Sequence, residues 1–233
     1  LNIRRSATVL DMFSKVALIL LVFFLISCGQ EEKSVSDKVV SETKESVFIV
    51  EGLACGKSSI GTGVLISNGI LTNAHVIAGT EKLEVIDVNG ARSETYPISV
   101  DFETDLALLR DPGFSQPRLQ TAEPKEKQRG SLIVGGKGFV NNVPVKILRL
   151  LKIVIADIYG EGKHTRSGME LSAEVISGDS GGPIINIKGQ IIGLIFSRST
   201  IQDGVSYGIS SAEFTKVTES YDLSGVSSGK CRE

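Results

Sequence analysis

Along most of the chain, apolar residues come in short runs broken by glycine, asparagine and paired charges, a spacing that predicts strands rather than long helices. The first runs predict strands at 47–53, 61–67, 69–73, 82–88, 96–102 and 106–110. Hairpin-forming turns are expected at Ser67-Asn68-Gly69 and Val88-Asn89-Gly90. Residues 111–130, with Pro112, Gly113, Pro117, Pro124 and clustered charge, read as a crossover. A second set follows at 131–135, 143–158, 169–173, 183–186, 190–197 and 205–210; the long run 143–158 implies a bent strand or two joined at a corner. Ser211 to Tyr221 has helical spacing, with Ser211 as cap. The reading is an all-β chain of two six-stranded antiparallel barrels with a C-terminal helix, the first over about 47–111 and the second over about 131–210.

Ahead of the strands, Lys15 precedes the unbroken apolar run Val16–Ile26, which closes on Leu25-Ile26-Ser27-Cys28. The run is too short to span a bilayer and suits the core of an export signal. Small residues ending at a cysteine resemble a bacterial lipobox, in which Cys28 is lipidated and residues 1–27 are removed. An ordinary secretory signal or a signal anchor is the alternative. Met12 is a candidate start, since residues 1–11 add nothing to a signal. Gly29 rather than aspartate after the cysteine points to the periplasmic face of the outer membrane in a Gram-negative envelope. Residues 28–46, charged and serine-rich, read as a flexible tether, with a short charged helix as the alternative.

Composition narrows the chemistry. With 233 residues and 41% apolar content the chain holds one domain of double-barrel size or two small ones, and a net charge of −2 argues against a nucleic-acid partner. There is no Cys-x-x-Cys pair and no His/Cys/Asp cluster, so no metal is expected. With Cys28 lipidated, Cys55 and Cys231 remain as an even pair in an oxidising compartment, and a disulfide tying the C-terminal tail to the first strand is expected, with two free thiols as the alternative.

Gly178-Asp179-Ser180-Gly181-Gly182-Pro183 presents a serine on a tight glycine loop whose amides at Gly178 and Ser180 can converge on one point, an oxyanion hole. A serine nucleophile needs a base, and the chain has two histidines. His75 ends an apolar run, Ile70 to Ala74, whereas His164 lies in a polar loop and is set aside. Asp105, leading the apolar run Leu106–Leu109, fits the carboxylate that orients the ring.

Ala74-His75, Asp105-Leu106-Ala107-Leu108-Leu109 and the serine hexapeptide, in that order, resemble the trypsin-like (chymotrypsin-fold) serine proteases. The spacing, 30 residues from His75 to Asp105 and 75 from Asp105 to Ser180, together with Gly61-Thr62-Gly63, is closest to the Do-like, HtrA-type branch. The resemblance runs from about Val47 to Tyr221 and makes 47–233 a protease domain, without the PDZ module most Do-like proteins carry. It implies a serine endopeptidase that needs no cofactor, takes an extended polypeptide as substrate and pairs it with Phe196-Ser197-Arg198. A non-catalytic or latent protease-fold lipoprotein that binds polypeptides is the alternative, and an esterase a weaker one.

Two details depart from the digestive enzymes. Ile49-Val50-Glu51-Gly52 looks like the amino terminus freed when a zymogen is cut, but no basic residue precedes Ile49 and His75 follows too soon. Asp179, which resembles the aspartate that pairs with that terminus, therefore needs another partner, or the loop rests in an inactive form. Glu174 could favour basic side chains and Arg198 could neutralise it or favour acidic ones, but Glu174 reads rather as a solvated surface acid, and no side-chain preference is assigned. The lipobox reading predicts that radiolabelled palmitate attaches to the protein and is lost in Cys28→Ala; labelling that survives this substitution refutes it.

Overall fold

The structure, a computed structural model, describes residues 34–232. Cys28 and the segment read as an export signal lie outside the described residues. The first sheet contains β1 (Val47–Ala54), β2 (Lys57–Ile66), β3 (Gly69–Thr72), β4 (Thr80–Ile86), β5 (Arg92–Thr95), β6 (Pro97–Asp101) and β7 (Leu106–Leu109). Their order is β5-β4-β1-β2-β3-β7-β6. The two end strands are consecutive in sequence, separated by Tyr96 alone. The first half of this bent strand pairs Thr95 with Leu83 of β4, and the second pairs Pro97 with Leu109 of β7. Pro97 has no amide to donate, so the ladder breaks there, and Arg110 N–H donates to Tyr96 O (2.9 Å) across the gap. Counted as one strand, the bent segment closes a six-stranded barrel. The expected strand at 96–102 is thus the second half of one that begins at Arg92.

The second sheet is a closed six-stranded barrel, β10-β13-β12-β11-β8-β9. Its strands are β8 (Arg129–Val134), β9 (Asn141–Ile155), β10 (His164–Ser172), β11 (Pro183–Ile185), β12 (Ile191–Arg198) and β13 (Val205–Ser210). The long run resolves as a single strand, β9, whose first part pairs with β8 and whose remainder pairs with β10.

Each barrel fills its interior with β-branched and aliphatic side chains. The first buries Phe48, Val50, Leu65, Ile70, Val85 and Leu109, and the second Leu132, Ile147, Met169, Leu171, Ile184 and Ile192. A third cluster lies between them, where Val64, Leu71, Leu106 and Leu108 meet Ile133, Ile185, Leu194 and Ile209. Each such side chain contributes about 1.5–3 kcal/mol by leaving water, so the barrels are held together by the same effect that fills them.

The tether expected over 28–46 needs correction at its C-terminal end. Residues 37–44 form α1 (Asp37–Lys44), capped by Ser36, with Val40 buried in the inter-barrel cluster. Val35 and Val39 pack there too, and Thr43 is buried. These four positions make an apolar stripe at helical spacing that the high charge of the segment conceals. Ser46 Oγ then donates to Pro117 O (2.6 Å), so the folded body begins before Val47.

The C-terminal helix is also shorter than expected. Ser211–Glu213 is a 3₁₀ turn and α3 (Thr215–Thr218) a single turn, with α2 (Ala74–Ile77) the other short helix of the body. Ser210, rather than Ser211, caps the 3₁₀ turn, while Ser211 Oγ donates to Ala122 O (2.8 Å). The tail then runs back along β6, where Asp222 and Val226 N–H groups donate to Ile98 and Pro97 carbonyls. It ends with Cys231 bonded to Cys55 in the β1–β2 turn, the Cα atoms 6.1 Å apart. This bond closes a loop spanning 176 residues, so its loss frees a large part of the unfolded ensemble. The Cys55→Ala, Cys231→Ala double variant is expected to lose about 2–4 kcal/mol, read from the urea midpoint; an unchanged midpoint would show that the tail adds nothing to the body.

Candidate active site

β3 ends at Thr72, and the next residues turn sharply into α2, which carries His75 at its second position. His75 is held at two points by one carboxylate, through its backbone amide and through its ring. His75 N–H donates to Asp105 Oδ1 (2.9 Å), and ring Nδ1 meets Oδ2 at 2.7 Å. A carboxylate partner requires Nδ1 to carry the proton, which leaves Nε2 as the basic nitrogen.

Asp105 adopts φ +62°, a left-handed conformation that costs a non-glycine residue about 1 kcal/mol. The surroundings enforce it. Asn73 Nδ2 donates to Asp105 O (2.8 Å), Thr104 Oγ1 donates to Asp101 Oδ2 (2.5 Å), and the Glu103 and Thr104 amides cap Asp101 Oδ1. Asp105 is buried, and its charge is compensated by the histidine turn.

Ser180 sits on the loop between β10 and β11. That loop is built by glycine conformations, with Gly178 at φ +94° and Gly181 at φ +85°. A Cβ on Gly178 would lie 2.7 Å from Gly136 Cα, and one on Gly181 would collide with Thr62 O. Thr62 on β2 holds the loop to the first barrel. Its N–H donates to Ser180 O (2.8 Å), its Oγ1 donates to Gly178 O (2.9 Å), and the same oxygen accepts from Gly135 N–H (2.9 Å). Beside it, a Cβ on Gly61 would press on the Val76 methyls and lie 3.1 Å from Ser180 O. The histidine turn and the serine loop therefore meet at Gly61–Thr62. Among the described residues, no hydrogen bond joins Ser180 Oγ to His75, and none engages the Gly178 or Ser180 N–H. Resting sites of this kind often tighten only around a substrate.

Asp179 has its partners in the backbone. It is buried; Oδ2 accepts from Ile176 N–H (2.9 Å) and Oδ1 from Gly136 N–H (3.2 Å). Burial raises its carboxyl above the ordinary range, while the two amides and nearby Lys137 pull it partly back.

A groove of about 270 Å³ opens beside Ser180, lined by Val175, Ile176, Ser177, Ile195, Ser197 and Arg198. Ser197 and Arg198 thus face it, but Phe196 does not line it. β12 bulges there, since Ile195 lies opposite Gly208 and Ser197 opposite Tyr207, and Arg166 Cζ lies over the Phe196 ring, 5.5 Å from the ring centroid. Glu174 is exposed and outside the groove, a solvated acid. His164, expected in a polar loop, instead opens β10 opposite Ile155, its ring partly buried and 3.2 Å from Glu103. The sequence reading passed over Thr62, Asn73 and Arg166. For Thr62 a signal existed, a hydroxyl flanked by two glycines in an apolar strand.

Residues 61–194 match the family model described as a trypsin-like peptidase domain. The serine protease Rv3671c of Mycobacterium tuberculosis is 32% identical over 206 residues, covering 85% of this chain and 50% of that protein. Human serine protease HTRA4 is 29% identical over 156 residues, covering 65% of this chain and 32% of its own. The chain spans about half the length, or less, of these curated relatives. Among solved structures, the active form of the Rv3671c protease superposes with a TM-score of 0.79 at 29% identity, covering 86% of this chain and 94% of that one. Its inactive form gives 0.69 at 28% identity, covering 79% and 98%.

The raised carboxyl of Asp179 gives a signed expectation. A group whose pKa is higher folded than unfolded stabilises the fold at low pH, and that contribution is lost as pH rises through the folded value. Asp179→Asn keeps one acceptor and does not ionise. Its stability relative to wild type should therefore improve from about pH 3 to about pH 7 in urea titrations; a difference independent of pH would mean that Asp179 carries no burial penalty.

Proposed function

This chain belongs to the trypsin-like peptidase family, with relatives of HtrA type, and we propose from that membership that it is a serine endopeptidase tethered to a membrane by lipid on Cys28. The observation that carries the catalytic part is the two-point grip of Asp105 on His75, meeting the Ser180 loop at Gly61–Thr62.

In this reading, His75 Nε2 takes the Ser180 Oγ proton as the oxygen attacks a peptide carbonyl. The Gly178 and Ser180 amides receive the oxyanion, and Asp105 stabilises the imidazolium. The imidazolium then protonates the leaving amine, an acyl-enzyme remains, and water activated by His75 releases the acid. The substrate is an extended polypeptide whose backbone pairs with Ser197–Arg198, its side chain entering the groove between Val175 and Ile195. Those two walls are apolar and buried, which favours an aliphatic side chain over a charged one. The lipid anchor places the domain in a bacterial envelope, at the periplasmic face of the outer membrane where the organism is Gram-negative.

The non-catalytic reading, a polypeptide-binding lipoprotein, drew its strength from an Asp179 without a partner. The Gly136 and Ile176 amides supply one, and the greater likeness is to the active form of the mycobacterial relative.

The test is labelling with a fluorophosphonate probe, which reacts only with an activated serine and needs no knowledge of the substrate. Wild-type protein is expected to label, and Ser180→Ala and His75→Ala to stay dark. A folded wild-type protein that does not label would sink the endopeptidase reading and return the binding one.

A further inference from the structure

Arg166 is the buried cation of the described body, 2% exposed, and its circumstances are unusual. It lies on β10 of the second barrel, yet Nη1 donates to Thr104 O (3.0 Å) in the first, while Nη2 donates to Ala156 O (3.2 Å). Its Nε–H has no partner among the described residues, and no carboxylate lies within ion-pair distance. Burying a guanidinium in this way is costly, and an apolar side chain of similar volume holds two barrels together at least as well. Stability alone does not account for it.

Its neighbours do. Thr104 immediately precedes Asp105, whose left-handed backbone is clamped at its own carbonyl by Asn73. Arg166 supplies the matching clamp on the preceding carbonyl, so both peptides flanking the Asp105 side chain are fixed. The other face of the guanidinium carries the Phe196 ring, in the bulge directly before Ser197 and Arg198, which line the groove. Burial lowers the guanidinium's pKa, and the charges of Asp105, Asp101, Glu213 and Asp157 oppose this, which leaves it charged.

We propose that Arg166 is a positioning residue of the active site, fixing the Thr104–Asp105 turn from the opposite barrel and coupling the substrate-pairing end of β12 to the carboxylate that orients His75. This rests on the triad reading above. A substrate strand laid along Ser197–Arg198 bears on the β12 backbone beside Phe196, and through the Phe196 ring and Arg166 that contact reaches the Asp105 turn. Geometry at the base therefore depends on a side chain that touches neither substrate nor His75.

Three full-length variants test this: Arg166→Met, which keeps volume without charge or donors; Arg166→Lys, which keeps the charge but lacks the rigid planar fork that spans the two carbonyls; and Leu171→Ala, a buried core change on the same strand. The first readout is fluorophosphonate labelling, separated into a maximal rate and a half-saturating concentration. In Arg166→Met the maximal rate should fall about 100-fold, and in Arg166→Lys about 10-fold, with half-saturation within about twofold. Leu171→Ala should lower stability and leave the rate within about twofold. The second readout is the His75 tautomer from long-range proton–nitrogen spectra, simple to assign in a chain with two histidines. Wild type and Leu171→Ala should hold the Nδ1–H form, and the Arg166 variants a mixture. Rates and tautomers in the Arg166 variants that match Leu171→Ala overturn the proposal. If Arg166→Met does not fold, Arg166→Lys decides by the same two readouts. If wild type fails to label, the triad reading falls, and the tautomer comparison still decides the role of Arg166.

Discussion

The arrangement depends on one residue's hydrogen bonds, those of Thr62. Ser180 belongs to the second barrel and His75 and Asp105 to the first, so their relation is set wherever the barrels are locked in register. At Thr62 every polar atom is committed: N–H donates to Ser180 O, Oγ1 donates to Gly178 O and accepts from Gly135 N–H, and the carbonyl accepts from Thr72 Oγ1. Each bond is worth only about 1 kcal/mol net, but losing one strands a buried group at about 1–3 kcal/mol, so the seam tolerates little movement. The apolar cluster between the barrels supplies adhesion without direction. Thr62 supplies the direction, and Gly61 and Gly181 supply the space, since side chains at either position would force the loop away.

Much of this was legible in the sequence because strands and turns are local. Short apolar runs marked every strand of both barrels except β5, with β10 expected to start at Met169 where it starts at His164, and the glycine pattern around Ser180 announced its loop. What failed was decided by partners far along the chain. The bend at Tyr96–Pro97 closes a barrel only because β4 and β7 lie on either side, and nothing in Arg92–Thr95 alone reveals that. Charge in 37–44 hid a stripe of valines whose meaning depends on an apolar cluster between the barrels. The final helix stops early because Ser211 and the tail bond to Ala122 and β6 instead of extending it.

The candidate site divides along the same line. His75, Asp105 and Ser180 carry reactivity in their chemistry, and a reader of sequence finds them by asking for a nucleophile, a base and an acid. Thr62, Asn73 and Arg166 have no reactivity of their own; they hold carbonyls and amides in place. Such residues become visible only when the acceptor is known. For Arg166 that acceptor lies 62 positions away, and for the Thr62 hydroxyl 116.

Asp179 shows how a departure from the family pattern can be absorbed without a new element. In enzymes cut from zymogens, a freed amino terminus brings a positive charge to this aspartate and so shapes the oxyanion loop. Here two neutral amides take that place, one from the loop itself at Ile176 and one from the β8–β9 turn at Gly136. Neutral donors solvate a buried carboxylate less well than an ammonium, which is why its carboxyl remains raised. Gly136 must be glycine for this geometry, because a Cβ there would strike Asp179 Oδ1. The shape of the serine loop thus depends on where the β8–β9 turn lies and not on a cut. Gly135, next in that turn, is held by the same Thr62 hydroxyl that holds Gly178. One side chain therefore holds both the loop and the turn that supports it.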